Sequence, residues 1–223
     1  MPRVRKESVR RVKSRIYIFC EGKKTEPNYI RAYIEAFHPA CVRLKDVEKP
    51  VTIQDTRKNT PKQLVKEAAT FAKKLDFPGD QVWVMYDREA VEKYPDQDHA
   101  QAWKMAQNKQ IKVVLSNVCF EYWLLLHLKA TSQPATNCDE LISSKHFKQA
   151  IRELGFSSYE KGQAEIAAVL MTHERIEHAK KHARRINQQT ISEHPQDDAE
   201  LPYRLSPFTN VYEVLEAIDQ VAI

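Results

Sequence analysis

Three short runs of the chain are almost wholly apolar: Ile16 to Cys20, Val82 to Tyr86 and Ile111 to Leu115. Unbroken apolar runs of this length predict central strands covered on both faces. A weaker strand pattern lies around Val42 to Ile53. Helical patterns sit between these runs. Thr25, Glu26 and Pro27 mark a helix start, and that helix runs to about Phe37. Thr60, Pro61 and Gln63 supply an N-cap, a first-turn proline and a capping-box glutamine. Leu64, Val65, Ala68, Ala72 and Leu75 then form one stripe at helical spacing. A third helix covers about His99 to Lys109. Strands alternating with helices predict crossovers and a mainly parallel sheet flanked by helices, which makes the expected fold class α/β.

The pattern changes after Leu115. From Glu140 onward only helices are expected: Leu141 to Leu154 closed by Gly155, then Gln163 to about Asn187, and finally Val211 to Val221. Gln188 to Pro202 reads as a polar loop. The expected organisation is a basic segment at 1–14, an α/β core at 15–129 and a helical part at 130–223 packed on that core.

Composition narrows the function classes. Of 223 residues, 42% are apolar and 29% charged, a globular balance rather than a disordered one. The longest apolar run, near Trp123 to Leu128, is far too short to span a bilayer. The charged N-terminus is not followed by an apolar segment, so it does not read as a secretory signal. A cytoplasmic protein with no membrane partner is expected. Cys20, Cys41, Cys119 and Cys138 form no C-x-x-C pair and read as reduced core residues, not as zinc ligands or disulfides. With only Gly22, Gly79, Gly155 and Gly162, a G-x-G-x-x-G dinucleotide loop is excluded.

The net charge of +5 says less than its distribution. Arg3, Arg5, Lys6, Arg10, Arg11, Lys13 and Arg15 face a single Glu7. Lys180, Lys181, Arg184 and Arg185 form a second basic run. Arg10, Arg11 and this second run are the candidate nucleic-acid patch. The same charges also suit a solvated tail and helix face.

In an open parallel sheet, ligands bind beyond the carboxyl ends of the strands. Glu21 directly ends the first strand, and Gly22 lets the backbone approach a ligand. Asp87, Arg88 and Glu89 end the second strong strand, with Asp87 and Glu89 on one face by the two-residue period. Ser116 and Asn117 end the third, and Glu121 follows among Phe120, Tyr122 and Trp123. A carboxylate in such apolar company needs a partner or a metal. Acids converging from three strands repel one another, and a hard divalent cation such as Mg²⁺ or Mn²⁺ relieves that repulsion. Glu21, Asp87, Glu89 and Glu121 are therefore the candidate metal ligands. Glu26, in the first turn of its helix, reads instead as a complement to the helix dipole.

Gly22-Lys23-Lys24-Thr25 lacks the upstream glycine of a P-loop. Lys23, Lys24, Arg88, Ser116 and Asn117 remain as candidate contacts to a substrate phosphate, with solvated turn lysines as the alternative for the first two. His173, His178 and His182 share a helix, but no glutamate follows His178 and the neighbours are basic, so they read as solvated.

The segment Phe19-Cys20-Glu21-Gly22-Lys23-Lys24-Thr25-Glu26-Pro27-Asn28-Tyr29 resembles the opening motif of the RloB-like family. So do the Asp87-Arg88-Glu89 strand end and Ser116-Asn117-x-Cys119-Phe120-Glu121-x-Trp123-Leu124-Leu125-Leu126-His127. Ser206-Pro207-Phe208-Thr209-Asn210-Val211 resembles its closing motif, so the likeness spans nearly the whole chain. The resemblance implies a Toprim catalytic core at 15–129, with Glu21 as general acid/base or metal ligand and Asp87 and Glu89 holding metal. Glu89 departs from the family's second aspartate, which puts its ligand role below that of Asp87. The family is linked to bacterial defence loci, where similar Toprim nucleases cut tRNA. The resemblance thus implies a Mg²⁺-dependent nuclease acting on RNA, with tRNA as one candidate, or on DNA, in anti-phage defence, with an ATPase of the same locus as a candidate partner. A non-catalytic nucleic-acid-binding or regulatory Toprim subunit and a nucleotide-processing phosphotransferase are the rivals.

Overall fold

The computed structural model describes residues 14–75, 77–195 and 200–222. The first basic run up to Lys13, with Arg10 and Arg11, lies outside the described residues.

Five strands form one sheet in the order β2-β1-β3-β4-β5. They are β1 (Ile16–Cys20), β2 (Val51–Gln54), β3 (Gln81–Asp87), β4 (Lys112–Asn117) and β5 (Phe208–Thr209). The first four run parallel, and β5 pairs antiparallel with the end of β4. The apolar runs are central because both their faces are covered. Ile16, Ile18, Cys20, Trp83, Met85 and Val114 point into one core; Phe19, Val82, Val84, Tyr86, Val113 and Leu115 point into the other. That split is the two-residue period of a strand made visible.

The second core is closed by α3 (Pro61–Ala72) and α4 (Asp96–Asn108), through Leu64, Val65, Ala68, Ala102 and Ala106. Thr60 caps α3 as expected, its side chain accepting from the Gln63 N–H at 3.4 Å. A cap of this kind contributes about 1 kcal/mol. The first core is closed by α1 (Thr25–Phe37) and by the C-terminal helices. Trp123, Phe147, Ile176 and Ile218 all belong to it, so the helical part shares one interior with the sheet.

Several expectations are corrected. Of the stretch Val42 to Ile53, only its end is strand; before it come α2 (Pro39–Val42) and a 3-10 turn at Asp46–Glu48. The helix expected over Leu141 to Leu154 is two helices, α6 (Cys138–Ser143) and α7 (Lys145–Glu153). Ser144 adopts an extended backbone, and its hydroxyl caps α7 by accepting from the Phe147 N–H. The next expected helix is also two, α8 (Ala164–Leu170) and α9 (His173–Glu193), divided where Thr172 caps α9. Helix α9 runs past Asn187 into the stretch expected as loop, because Asn187 and Thr190 bond to Thr209 and Pro207 beside β5. Helix α5 (Glu121–Leu126) and α10 (Val211–Val221) complete the chain. Among the described residues, no helix is long and apolar enough to cross a membrane.

Candidate functional site

Register brings the acids together. Cys20 pairs with Met85, and the Glu21 N–H continues the ladder to the Met85 carbonyl at 2.8 Å. Glu21 therefore arrives beside Asp87, whose N–H donates to Glu21 Oε2 at 3.2 Å. The Tyr94 hydroxyl donates to the other oxygen, Oε1, also at 3.2 Å. Burial pushes the Glu21 carboxyl up to about 7; these two hydrogen bonds oppose the rise, and the Glu89 and Glu26 charges add to it.

Asp87 closes β3. Burial first, and then the charges of Glu26, Glu121, Glu21 and Glu89, hold its carboxyl well above the ordinary range. Among the described residues, no donor meets the Asp87 carboxylate. Glu89 lies beyond the strand, so the two-residue period does not place it. It adopts a left-handed backbone with φ 55°, and its N–H donates to the Val118 carbonyl at 2.9 Å. Left-handed backbone at a non-glycine residue is uncommon and concentrates at functional sites. The Glu89 carboxylate is paired with Lys93 at 2.7 Å.

Glu121 is buried at the start of α5. Tyr159 donates to its Oε1 at 2.7 Å, and Cys138 Sγ lies 3.3 Å from its Oε2. Its companion is unexpected: Cys119 and Cys138 are joined as a disulfide, with Cα atoms 5.6 Å apart. This corrects the reading of all four cysteines as reduced; Cys20 and Cys41 are free and buried. Cys119 precedes α5 and Cys138 opens α6, and their 19-residue separation carries no motif.

Glu26 is the residue the sequence pattern misplaced. It is buried, and its Oε1 accepts from the Gly22 N–H at 3.1 Å. Burial raises its carboxyl and Glu121 adds to this, while hydrogen bonds and Lys161 act the other way. A Cβ on Gly22 would fall inside the Glu26 carboxylate, so any side chain there would make that carboxylate shift. The loop after α7 supplies further residues that sequence order hides. Besides Tyr159 and Lys161, it brings the Gly162 carbonyl to the Asn28 amide at 2.9 Å.

The phosphate candidates divide. Lys23 and Lys24 are exposed in the turn between β1 and α1. Arg88 is buried, donating to the Tyr203, Tyr94 and Glu89 carbonyls and pairing with Asp96. Ser116 bonds with Thr209 at 2.9 Å, and the Asn117 amide donates to the Leu205 carbonyl at 2.7 Å. The Ser116 bond ties β4 to β5, while Arg88 and Asn117 tie the strand ends to the loops at Tyr94, Tyr203 and Leu205. In the basic run of α9, Lys180 is buried between Glu177 and Asp219. Arg184 pairs with Glu216 and lies over the Tyr212 ring. Lys181 and Arg185 are exposed. His182 bonds with the Leu126 carbonyl at 2.7 Å rather than with water alone.

The oxygen donors fit a hard divalent cation in chemistry. Their charges oppose one another, and among the described residues no donor meets the Asp87 carboxylate. They do not form an all-protein cage: among the described residues, the convergent trio of ligand atoms is Cys119, Glu121 and Cys138, within 4.8 Å. A loose frame suits Mg²⁺, which keeps several waters and takes few carboxylates.

Fold and site together define an α/β protein with an acidic cluster beyond the carboxyl ends of parallel strands. The chain belongs to the RloB-like protein family, whose model matches residues 16–218. No curated protein and no solved structure matches it.

Proposed function

We propose that this protein is a metal-dependent nuclease that hydrolyses phosphodiester bonds in nucleic acid, with RNA favoured over DNA and tRNA as one candidate. The convergence of Glu21, Glu26, Asp87, Glu89 and Glu121 at one sheet edge carries the reading. The likeness of the opening motif to Toprim nucleases, and the family's link to bacterial anti-phage defence, support it. An ATPase of the same locus is the partner we propose.

Asp87, with Glu21, Glu89 and Glu121, would hold Mg²⁺ or Mn²⁺. The bound cation would neutralise phosphate charge and lower the pKa of water. Glu21, with a carboxyl raised to about 7, is suited to accept and return a proton near neutral pH. Tyr94 and the Asp87 N–H fix the orientation of that carboxylate. Lys23 and Lys24, exposed beside it, would meet the phosphate as point charges. A second reading, a non-catalytic nucleic-acid-binding subunit, draws on the Lys93 ammonium already paired with Glu89.

Incubating the pure protein with total tRNA, rRNA and plasmid DNA tests the reading. Cleavage that needs Mg²⁺ or Mn²⁺ and stops with chelator is the expected result. Binding without cleavage of any of the three would favour the second reading.

A further inference from the structure

Next to the acidic cluster lie two sulfurs that the proposed hydrolysis does not use, in contact with Glu121. Cys119, Cys138 and Glu121 are each buried, and their ligand atoms converge within 4.8 Å. Cys138 Sγ sits 3.3 Å from Glu121 Oε2 while also bonded to Cys119. That contact has a different meaning in each oxidation state. A thiol at this position donates its S–H to the carboxylate; a disulfide sulfur has no hydrogen and presents only lone pairs. Glu121 is in turn one of the charges acting on Asp87 and Glu26.

We propose that Cys119 and Cys138 form a thiol–disulfide switch that sets the partners of Glu121 and, through Glu121, the cation affinity of the acidic cluster. The consequence for the cluster rests on reading it as a cation site. In the dithiol form, Cys138 S–H and Tyr159 O–H each donate to one oxygen of Glu121, so both oxygens are engaged. In the disulfide form, Tyr159 is the one donor to Glu121 among the described residues, and Oε2 can turn toward a cation beside Asp87. A peroxide serves as oxidant. It oxidises one thiol to a sulfenic acid with release of water; the other thiol attacks that sulfur, forming the S–S bond and releasing a second water. Exchange with a small dithiol reverses the change: the reductant's two thiols become its disulfide, and both protein thiols return. Cys138 opens α6 and Cys119 precedes α5, and both are buried, so the oxidant or reductant must be small.

The test uses the full chain, stripped of metal and prepared either reduced or oxidised, with each state verified by alkylation and intact mass. Two quantities are read in each state. One is the side-chain carboxyl carbon signal of Glu121 in glutamate-labelled protein, assigned with Glu121→Gln. The other is Mn²⁺ affinity by calorimetry. Reduction is expected to move the Glu121 signal and to weaken Mn²⁺ binding about tenfold, the effect of one hydrogen bond to a charged group. Cys119→Ala keeps the Cys138 thiol but cannot form the bridge, so without peroxide or reductant, where the wild type keeps its disulfide, its affinity should equal that of the reduced wild type. Should that variant fold poorly, Cys119→Ser serves the same purpose.

A Glu121 signal indifferent to oxidation state overturns the proposal, as does Mn²⁺ binding of equal, measurable affinity in the two states. A reduced protein that retains stoichiometric zinc protecting both thiols from alkylation also overturns it, because the trio would then be a structural metal site. A Glu121 signal that moves while neither state binds Mn²⁺ supports the sulfur control of Glu121 and overturns the cation reading instead.

Discussion

Glu21→Gln should make the protein more stable above neutral pH and less stable in mild acid. The folded-state value of the Glu21 carboxyl is about 7, against an ordinary value of 4.5. The folded chain therefore holds a proton that the unfolded chain releases between those pH values. Stability falls as pH rises from 4.5 to 7, and the deficit is complete above 7. A displacement of this size corresponds to about 3 kcal/mol. Glutamine removes the charge but loses something as well. Its carbonyl can accept from the Asp87 N–H or from Tyr94, and its amide then faces the other donor. One lost hydrogen bond costs about 1 kcal/mol. The net effect is a gain of about 2 kcal/mol at pH 8 and a loss of about 1 kcal/mol at pH 4.5. For a chain of this length, the gain raises Tm by roughly 4–8 °C. Urea unfolding of both proteins across pH 4.5 to 8.5, with chelator present, measures the difference directly. A stability difference that does not change with pH would refute the argument, because the carboxylate would then carry no burial penalty. Adding Mn²⁺ should shrink the advantage at pH 8, since the cation stabilises the wild-type site more than one that lacks the Glu21 carboxylate.

Other outcomes follow from the same geometry. Gly22→Ala makes the Glu26 carboxylate shift and give up its hydrogen bond from the residue 22 N–H, which should cost about 1 kcal/mol in thermal unfolding; in a Glu26→Ala background the same substitution should cost less, and an equal cost would place the clash elsewhere. Asp87→Asn should weaken Mn²⁺ binding in calorimetry more than Glu89→Gln does, because Glu89 already has Lys93; a larger loss at Glu89 contradicts this ranking. Lys181→Ala with Arg185→Ala should flatten the dependence of RNA affinity on salt, by about 0.7 in log–log slope per lost phosphate contact on single strands. Lys180→Ala should instead lower stability at unchanged slope, since its ammonium is buried against Glu177 and Asp219. Deleting residues 1–14 removes six Lys or Arg side chains; the salt slope should fall while the single-turnover rate at saturating substrate holds.

The legible parts of this molecule are those decided by local pattern. The strands β1, β3 and β4 are apolar on both faces, so their runs stood out, and Glu21 and Asp87 could be placed at their ends. Thr60 and Pro61 announced α3 through cap chemistry alone. What stayed hidden depends on distant chain. Glu26 has the look of a dipole-complementing surface acid, and only the fold of α1 against the sheet buries it. Tyr159 and Lys161 lie far from β1 in sequence and reach the acids through a loop after α7. β5 is two residues long and exists because Asn117 and Ser116 have partners there. Arg88 and Lys180 show the reverse: cations that read as free are held by carbonyls and carboxylates from other elements.

The central claim is that these carboxylates hold a cation that supports phosphodiester hydrolysis. Single-turnover cleavage of end-labelled tRNA tests it most directly, comparing wild type, Glu21→Gln and Asp87→Asn with Mn²⁺ and then with chelator. The account predicts cleavage by wild type only in the presence of the ion and a loss of about a hundredfold or more in Glu21→Gln. Cleavage that persists at full rate in both variants, or in chelator, would contradict it.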